Sequence, residues 1–419
     1  MIGQQRLTAL RPLRRDARIL FATRMLRMFA YGMLSVVLVL YLLRLGLDMK
    51  EVGVLLTLAL VGDALVSLWI TGSADRIGRR RMLVAGSFLM VLAAMLFALT
   101  RNVWLLVLAA TIGVISPSGQ EVGPFLAIEQ ASLSQAIDAP RRTRVFAWYN
   151  LAGSCATAAG ALAGGGLSQL LQSQGLEPVD SYRAVVIAYG GIGVALGACF
   201  AFLSPVIEVP AAGRDPAQAG THPRFGLHRS RPLVLALVSL FALDAFAGGF
   251  VIQSIVAYWF QARYGVEPAL LGTIFFLANL LAGASALASA RLAARFGLLN
   301  TMVWTHIPSN ILLILVPFMP GLGSTILLLL LRFSISQMDV PTRQSYMMAV
   351  VSPEERSAAG GLANVGRTVG AAISPGISGF LLGSAGLLAL PFVISGLLKI
   401  LYDLLLYGRF RSVDVPDRG

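Results

Sequence analysis

The chain carries acidic side chains inside long apolar stretches. Asp63, Glu121 and Asp244 each lie well within a run of mostly hydrophobic residues. A charged side chain at the centre of a bilayer is costly, so such residues are candidates for proton or solute pathways. Burial disfavours the charged form of a carboxylate, which can then carry a proton near neutral pH. We therefore predict that these three residues couple proton movement to another event, with a structural hydrogen-bonding role as the equal alternative for Glu121.

Other polar side chains in the apolar runs could line a solute cavity. Arg27 lies deep in the first run, and alignment of the two halves of the chain sets it opposite Asp244, which predicts an ion pair or shared substrate contacts. The other cavity candidates are Tyr31, Gln120, Asn150, Gln253, Tyr258, Arg332, Asn364 and Arg367. Lys399 and Asp403 are four residues apart, which predicts a structural pair on one helix face. His306 is expected to open a helix without a functional role.

The segment 116–124 has the least regular composition of any apolar stretch. It reads Ser-Pro-Ser-Gly-Gln-Glu-Val-Gly-Pro. Two prolines and two glycines predict a break in the helix, and irregular backbone at membrane depth is tolerated only where it is buried in protein or lines a cavity. Glu121 lies within this predicted break.

The composition requires a membrane environment. The 419 residues are 57% hydrophobic and 13% charged, whereas soluble domains average about 25% charged residues. On a ruler of roughly 20 residues per span, we predict an all-α membrane protein with twelve transmembrane helices. The predicted spans lie near 19–43, 52–71, 82–99, 104–127, 145–170, 183–204, 232–260, 270–289, 301–319, 323–347, 358–383 and 388–407. The net charge of +13 does not indicate nucleic acid binding, because the charges lie in short loops.

The predicted spans divide into two pseudo-symmetric six-helix bundles. Residues 206–231 are rich in Pro, Gly and Arg and contain no apolar run, so they predict a flexible linker between bundles at 1–205 and 232–419. Sparse matches such as Gly53 with Gly272 at an offset of 219 support a duplicated unit. Parallel repeats of this kind occur in transporters.

The distribution of basic residues predicts the orientation. The odd-numbered loops carry only Arg44, Lys50, Arg101, Arg183 and Arg263, whereas the termini and even-numbered loops carry most of the rest. By the positive-inside rule, both termini and the linker are expected in the cytoplasm, with the protein in the cell membrane.

The loop after the second predicted span carries a specific motif. It reads Gly72-Ser-Ala-Asp75-Arg76-Ile-Gly78-Arg79-Arg80-Arg81, and it resembles the Gly-x-x-x-Asp-Arg-x-Gly-Arg-Arg loop of the major facilitator superfamily. The resemblance implies a cytoplasmic gate, with Arg81 serving topology alone. The predicted gate residues are Gly72, Asp75, Arg76, Gly78, Arg79, Arg80, Glu129 and Arg343. Gly72 is expected to allow close approach of a neighbouring helix.

The glycine-rich helices 5 and 11 can be read in two ways. Small residues at every fourth position favour close helix packing, and a role in setting transport direction is the alternative. Antiporters of the family carry a Gly-Pro motif in helix 5, which here has the glycines but lacks the proline.

These features predict a transporter and not an enzyme, since no phosphate-binding loop or metal-ligand spacing is present and no cofactor is expected. We expect proton-coupled efflux of a small drug-like or metabolic solute by a monomer in the lipid bilayer. One alternative is an importer or facilitator of an organic anion that uses Arg27, Arg332 or Arg367. Another is a transporter-like receptor or lipid-handling protein.

Overall fold

A computed structural model describes residues 2–121, 123–136, 139–208, 230–352, 355–384 and 386–412, with only the backbone at 2–14, 75, 134–136, 139–144, 206 and 357. These residues form α-helices and two short 3₁₀ turns, and no strand occurs among them. The first seven helices are α1 (Ile2–Arg44), α2 (Met49–Ile77), α3 (Arg79–Leu99), α4 (Val103–Ile112), α5 (Phe125–Ala136), α6 (Ala139–Ser173) and α7 (Pro178–Ala201). The others are α8 (Arg231–Gly249), α9 (Gln253–Tyr264), α10 (Pro268–Phe296), α11 (Leu298–Leu315), α12 (Leu322–Phe333), α13 (Asp339–Val350), α14 (Arg356–Leu382) and α15 (Leu390–Phe410).

Eight helical stretches among the described residues are long and apolar enough to cross a membrane. The predicted spans near 104–127 and 323–347 are not continuous helices, since α4 and α5 are separated, as are α12 and α13. The predicted break around Glu121 is confirmed, whereas the break before Asp339 was not predicted. The predicted spans near 145–170 and 358–383 correspond to α6 and α14. These helices contain 35 and 27 residues, more than the roughly 20 that a helix needs to cross a bilayer.

Two helix pairs approach closely at the predicted glycines. A Cβ on Gly160 of α6 would lie 2.0 Å from the carbonyl oxygen of Phe29 in α1. A Cβ on Gly370 of α14 would lie 2.3 Å from the carbonyl oxygen of Ala242 in α8. These separations are too short for any side chain, so close packing is confirmed for both glycine-rich helices. A direction-setting role for them stays a prediction.

The described residues group into two compact units. Unit 1 comprises those within Met1–Leu47, Val61–Arg214 and Gly265–Phe276. Unit 2 comprises those within Asp48–Leu60, Asp215–Tyr264 and Leu277–Gly419. Most of the predicted linker, residues 209–229, lies outside the described part of the chain. The boundaries at 205 and 232 stay predictions.

Candidate functional site: two buried ion networks

The first network joins α1 to the helix break, to α5 and to α6 in unit 1. Arg27 donates from Nε to Glu121 Oε1 at 2.9 Å and forms a two-pronged pair with Glu129, with Nη1–Oε1 at 2.9 Å and Nη2–Oε2 at 2.6 Å. Arg24, one turn earlier, is bonded to the other oxygen of Glu121. Tyr149 of α6 donates to Glu129. Two arginines are therefore matched by two glutamates.

The local sequence explains how these groups meet. The residues between α4 and α5 include the two prolines and two glycines of 116–124, and Gly119 and Gly123 adopt φ of 68° and 84°. Such positive φ angles suit glycine. The resulting irregular backbone carries Glu121 to Arg27, and α5 then presents Glu129 two turns further on. Arg27 and Glu129 are completely buried.

Asp63 of α2 differs from the carboxylates of the first network. It is 8% exposed, and its Oδ1 has no hydrogen-bond partner among the described residues. No arginine, lysine or histidine in the described part of the chain lies within ion-pair distance of it. An unpaired buried carboxylate is much less costly when it carries a proton.

The second network surrounds Asp244 of α8 in unit 2. Lys399 of α15 lies 2.5 Å from Oδ1, and Arg343 of α13 lies 2.8 Å from Oδ2. Arg367 of α14 reaches the same Oδ2 at 3.4 Å. Asp339 also binds Arg343, at 3.2 Å. A single buried carboxylate thus holds three cations from three helices.

A histidine extends the second network. His306 of α11 places Nδ1 3.0 Å from both carboxylate oxygens of Asp403 in α15. Its Nε2 lies 4.0 Å from Asp244 Oδ1. The side chain is 5% exposed and Asp403 is completely buried. The histidine therefore links the Asp244 cluster to a third carboxylate.

These contacts bear on several expectations about pairing. Arg27 and Asp244 each bind opposite charges within their own unit, and the predicted pair between them stays a prediction. Lys399 and Asp403 do not pair with each other, since each meets a nearer partner on another helix. His306 does not open its helix, which begins at Leu298, and it is not without partners.

Glu129 and Arg343 were predicted as gate residues with loop contacts; they do not lie in loops, and their gate role stays a prediction. Both side chains are buried inside the ion networks instead of forming loop contacts. The physical reason is register: α5 and α13 follow helix breaks, which place these residues opposite buried charges of α1 and α8.

Glu208 anchors the loop between α2 and α3. Gly78 adopts φ 116° between the two helices, as a tight turn requires. Glu208 accepts hydrogen bonds from the backbone N–H groups of Arg79, at 2.7 Å, and Arg80, at 3.1 Å, and so caps α3. Gly72 is not a site of close approach, because a Cβ there would meet no described atom within 4 Å.

The other predicted gate residues are only partly placed. Arg76 is exposed, and the side chain of Asp75 lies outside the described residues. Their gate role stays a prediction.

The remaining cavity candidates are dispersed. Gln120, Asn150 and Asn364 are exposed, and Tyr258 is half-buried. Tyr31 is completely buried beside Tyr189, and Gln253 accepts a hydrogen bond from Asn279 at 3.0 Å. Arg332 stacks on Phe333, with its guanidinium carbon 4.9 Å from the ring centroid. Only Arg27 and Arg367 of the cavity set join an ion network within the described part of the chain.

The sequence reasoning did not identify Tyr149, Asp339, Asp403, Lys399 and His306 as network members. Four of these are ionisable groups inside apolar stretches, which is by itself a signal for function. Tyr149 carried no such signal, because its role depends on the position of Glu129 in the fold. No group of three or more His, Cys, Asp or Glu side chains in the described ranges could hold a metal ion.

Comparison with known proteins identifies the class. The family model of the Major Facilitator Superfamily matches residues 20–338. The chain belongs to this superfamily and is a multi-pass membrane transporter, not an enzyme. The all-α fold class is likewise confirmed, since solved members have twelve helices in two domains.

Individual relatives support this membership. The chain is 31% identical to an uncharacterized membrane protein of Saccharomyces cerevisiae, YJR124C, over 96% of this chain and 95% of the relative. It resembles the solved bacterial homologue of the human lysosomal transporter Spinster, inward-facing and occupied, with a TM-score of 0.71, 16% identity and coverage of 94% and 96%. It also resembles a D-xylose–proton symporter, with a TM-score of 0.70, 13% identity and coverage of 93% and 97%. At these identities the solved structures support the fold alone.

Proposed function

We propose that this protein uses a proton gradient to export a small solute by alternating access across the cell membrane, with both termini in the cytoplasm. The observation that supports the proposal is the contrast between Asp63 and the paired carboxylates. Buried ion pairs contribute little net stability, and intramembrane charges mark transport pathways. A superfamily member that buries two such networks and one unpaired carboxylate has the groups that proton-coupled transport needs.

The carboxylates would have different roles. Glu121 and Asp244 each contact two or more cations. They would hold the arginines and the lysine in place. Asp63 has no cation within ion-pair distance among the described residues, so its buried charge is costly unless a proton neutralises it. Asp63 would therefore carry the coupling proton.

Asp63→Asn is expected to uncouple transport. The amide mimics the permanently protonated acid, so gradient-driven transport should fall about tenfold or more, while exchange of labelled for unlabelled solute continues. Proteoliposomes containing a pH-sensitive dye would be tested with ethidium, uridine, xylose and benzoate, and the compound that moves would be used. Asp180→Asn is the matched control, because Asp180 has a half-exposed side chain whose ion-pair partner among the described residues is Arg183. Full gradient dependence in Asp63→Asn would exclude Asp63, and a wild-type rate independent of the gradient would refute proton coupling.

A second candidate function, transport of an organic anion, is favoured by Arg367. Its side chain is 37% exposed, whereas those of Arg343 and Lys399 are 5% and 10% exposed. Its contact with Asp244, at 3.4 Å, is also the longest of the three cation contacts that Asp244 makes within 3.5 Å. Arg367 could therefore bind an anionic solute without unpairing the buried cations.

Arg367→Gln is expected to raise the KM for benzoate about tenfold or more if the solute is an anion, because a charge-assisted bond is lost. Arg367→Lys should retain part of the affinity. Benzoate uptake into proteoliposomes would measure both. Arg263→Gln, an exposed arginine between Trp259 and Tyr264, is the control. An unchanged KM in Arg367→Gln would rule out this anion site.

A further inference from the structure

His306 and Asp403 form a buried pair between α11 and α15. The histidine Nδ1 lies 3.0 Å from both carboxylate oxygens, and Asn310 donates to the same carboxylate at 3.5 Å. On the other side of the ring, Nε2 lies 4.0 Å from Asp244 Oδ1. A neutral imidazole has one donor and one acceptor nitrogen, whereas a protonated one has two donors. Only the protonated ring donates toward both carboxylates.

Buried polar atoms continue from this pair along the same two helices. Those without a hydrogen-bond partner among the described residues are Thr301 Oγ1, Ser309 Oγ, Asn310 Oδ1, Ser395 Oγ and the Tyr402 hydroxyl. Buried polar groups are almost always satisfied by protein or by ordered water, and one buried water typically binds about three of them. Ser309 and Asn310 lie within about one turn of His306, whereas Thr301 points to the opposite side of α11 from Asn310 at 3.6 residues per turn. We call Ser309, Asn310, Ser395 and Tyr402 the polar seam, and ordered water is the partner that suits their unpaired polar atoms.

The charged groups around His306 make the second network sensitive to protonation of this histidine. The charged or titratable groups that face it are Asp403, Lys399 and Tyr402 from α15, Asp244 from α8 and Asp339 from α13. Arg343 of α13 binds both Asp244 and Asp339. With a neutral ring, the three aspartates balance Lys399, Arg343 and Arg367. A proton on His306 adds one positive charge next to Asp244, where it competes with Lys399 and Arg367 for the same carboxylate.

We infer that His306 and Asp403 form a second proton-binding site, which water in the polar seam supplies and which loosens the hold of Asp244 on Arg367. Proton binding in unit 2 would then release the most exposed cation of the second network. This inference rests on the proposed proton coupling, and it assigns a function to the histidine. It also assigns one to the polar atoms between α11 and α15.

Histidine NMR tests the site directly and needs no substrate. The chain has three histidines, His222, His228 and His306, so protein labelled with ¹³C-histidine in nanodiscs gives three ring signals. The signal removed by His306→Gln is expected to show a protonation transition between pH 5 and 8.5. Asp403→Asn should displace this transition and leave the other two unchanged. His228→Gln is the matched control.

Two NMR outcomes would overturn the inference. One is a His306 signal that shows no transition in that pH range. The other is a transition that Asp403→Asn leaves unmoved. If His306→Gln does not fold, His222→Gln and His228→Gln assign the other two signals, and the remaining signal is that of His306.

A transport assay distinguishes this inference from the proposed function. His306→Gln is expected to flatten the pH profile of solute exchange in proteoliposomes, with the rate at the wild-type optimum falling about tenfold. A wild-type protein without gradient dependence would refute the proposed function while leaving the NMR result intact. Gradient-driven transport with an unchanged pH profile in His306→Gln would refute only the second site.

Discussion

Arg27→Met is expected to lower the free energy of unfolding by about 3–5 kcal/mol, the cost of breaking a buried ion pair by removing one partner. Arg27 and Glu129 are both completely buried, and Arg27 also binds Glu121. Methionine retains much of the side-chain volume but leaves Glu129 with only neutral hydroxyl donors, from Tyr149 and Thr23. The shift in thermal unfolding midpoint in nanodiscs would measure the loss.

Two further variants of this protein serve as the control and the rescue for this prediction. Arg183→Met breaks a partly exposed pair with Asp180 and should cost about 0–1 kcal/mol. The double variant Arg27→Met with Glu129→Gln removes one charge of each sign, so it should recover at least half of the loss. A single variant no less stable than Arg183→Met would show that the first network contributes nothing to the fold.

The second large effect is expected for Asp244→Asn, which removes the carboxylate shared by three cations. Arg343 keeps Asp339 as a partner, but Lys399 and Arg367 lose theirs. An uncompensated buried cation costs several kcal/mol. We therefore expect a strongly lowered unfolding midpoint and no measurable gradient-driven transport in the proteoliposome assay.

A charge-matched variant separates the structural and functional parts of this effect. Asp244→Asn combined with Lys399→Gln removes one charge of each sign and should restore much of the unfolding midpoint. Transport should stay absent, because the arrangement around His306 and Arg367 is lost. Asp180→Asn is again the control for the amide substitution. Recovery of transport in the double variant would contradict a functional role for Asp244.

The helix break around Glu121 could be predicted from the sequence. Two prolines and two glycines within nine residues predict irregular backbone by local chemistry alone, and the structure confirms it. The break before Asp339 lies in a stretch without such residues, Ser-Ile-Ser-Gln-Met. Its local signal is Pro341 in the first turn of α13, and the break was not predicted. A cluster of prolines and glycines predicts a break from sequence, whereas a single proline is a much weaker signal.

The partners of the buried charges could not be predicted from the sequence. The i, i+4 spacing of Lys399 and Asp403 suggested a pair, but such exposed pairs gain only a few tenths of a kcal/mol. In a buried setting, contacts at 2.5 Å to Asp244 and 3.0 Å to His306 from other helices outweigh that gain. Sequence spacing cannot rank partners that lie 97 to 155 residues apart along the chain.

The fold class and the family could be predicted from the sequence. Hydropathy predicts an all-α, multi-pass membrane protein, and the loop at Gly72–Arg81 indicates the major facilitator type, because both are properties of local composition. Local composition also shows which charges are costly in the membrane. The partners of those charges, Glu121 and Glu129 for Arg27 and Lys399, Arg343 and Arg367 for Asp244, follow from the folded chain. Pairing energy depends on distances of a few ångströms between helices, and helix packing sets those distances.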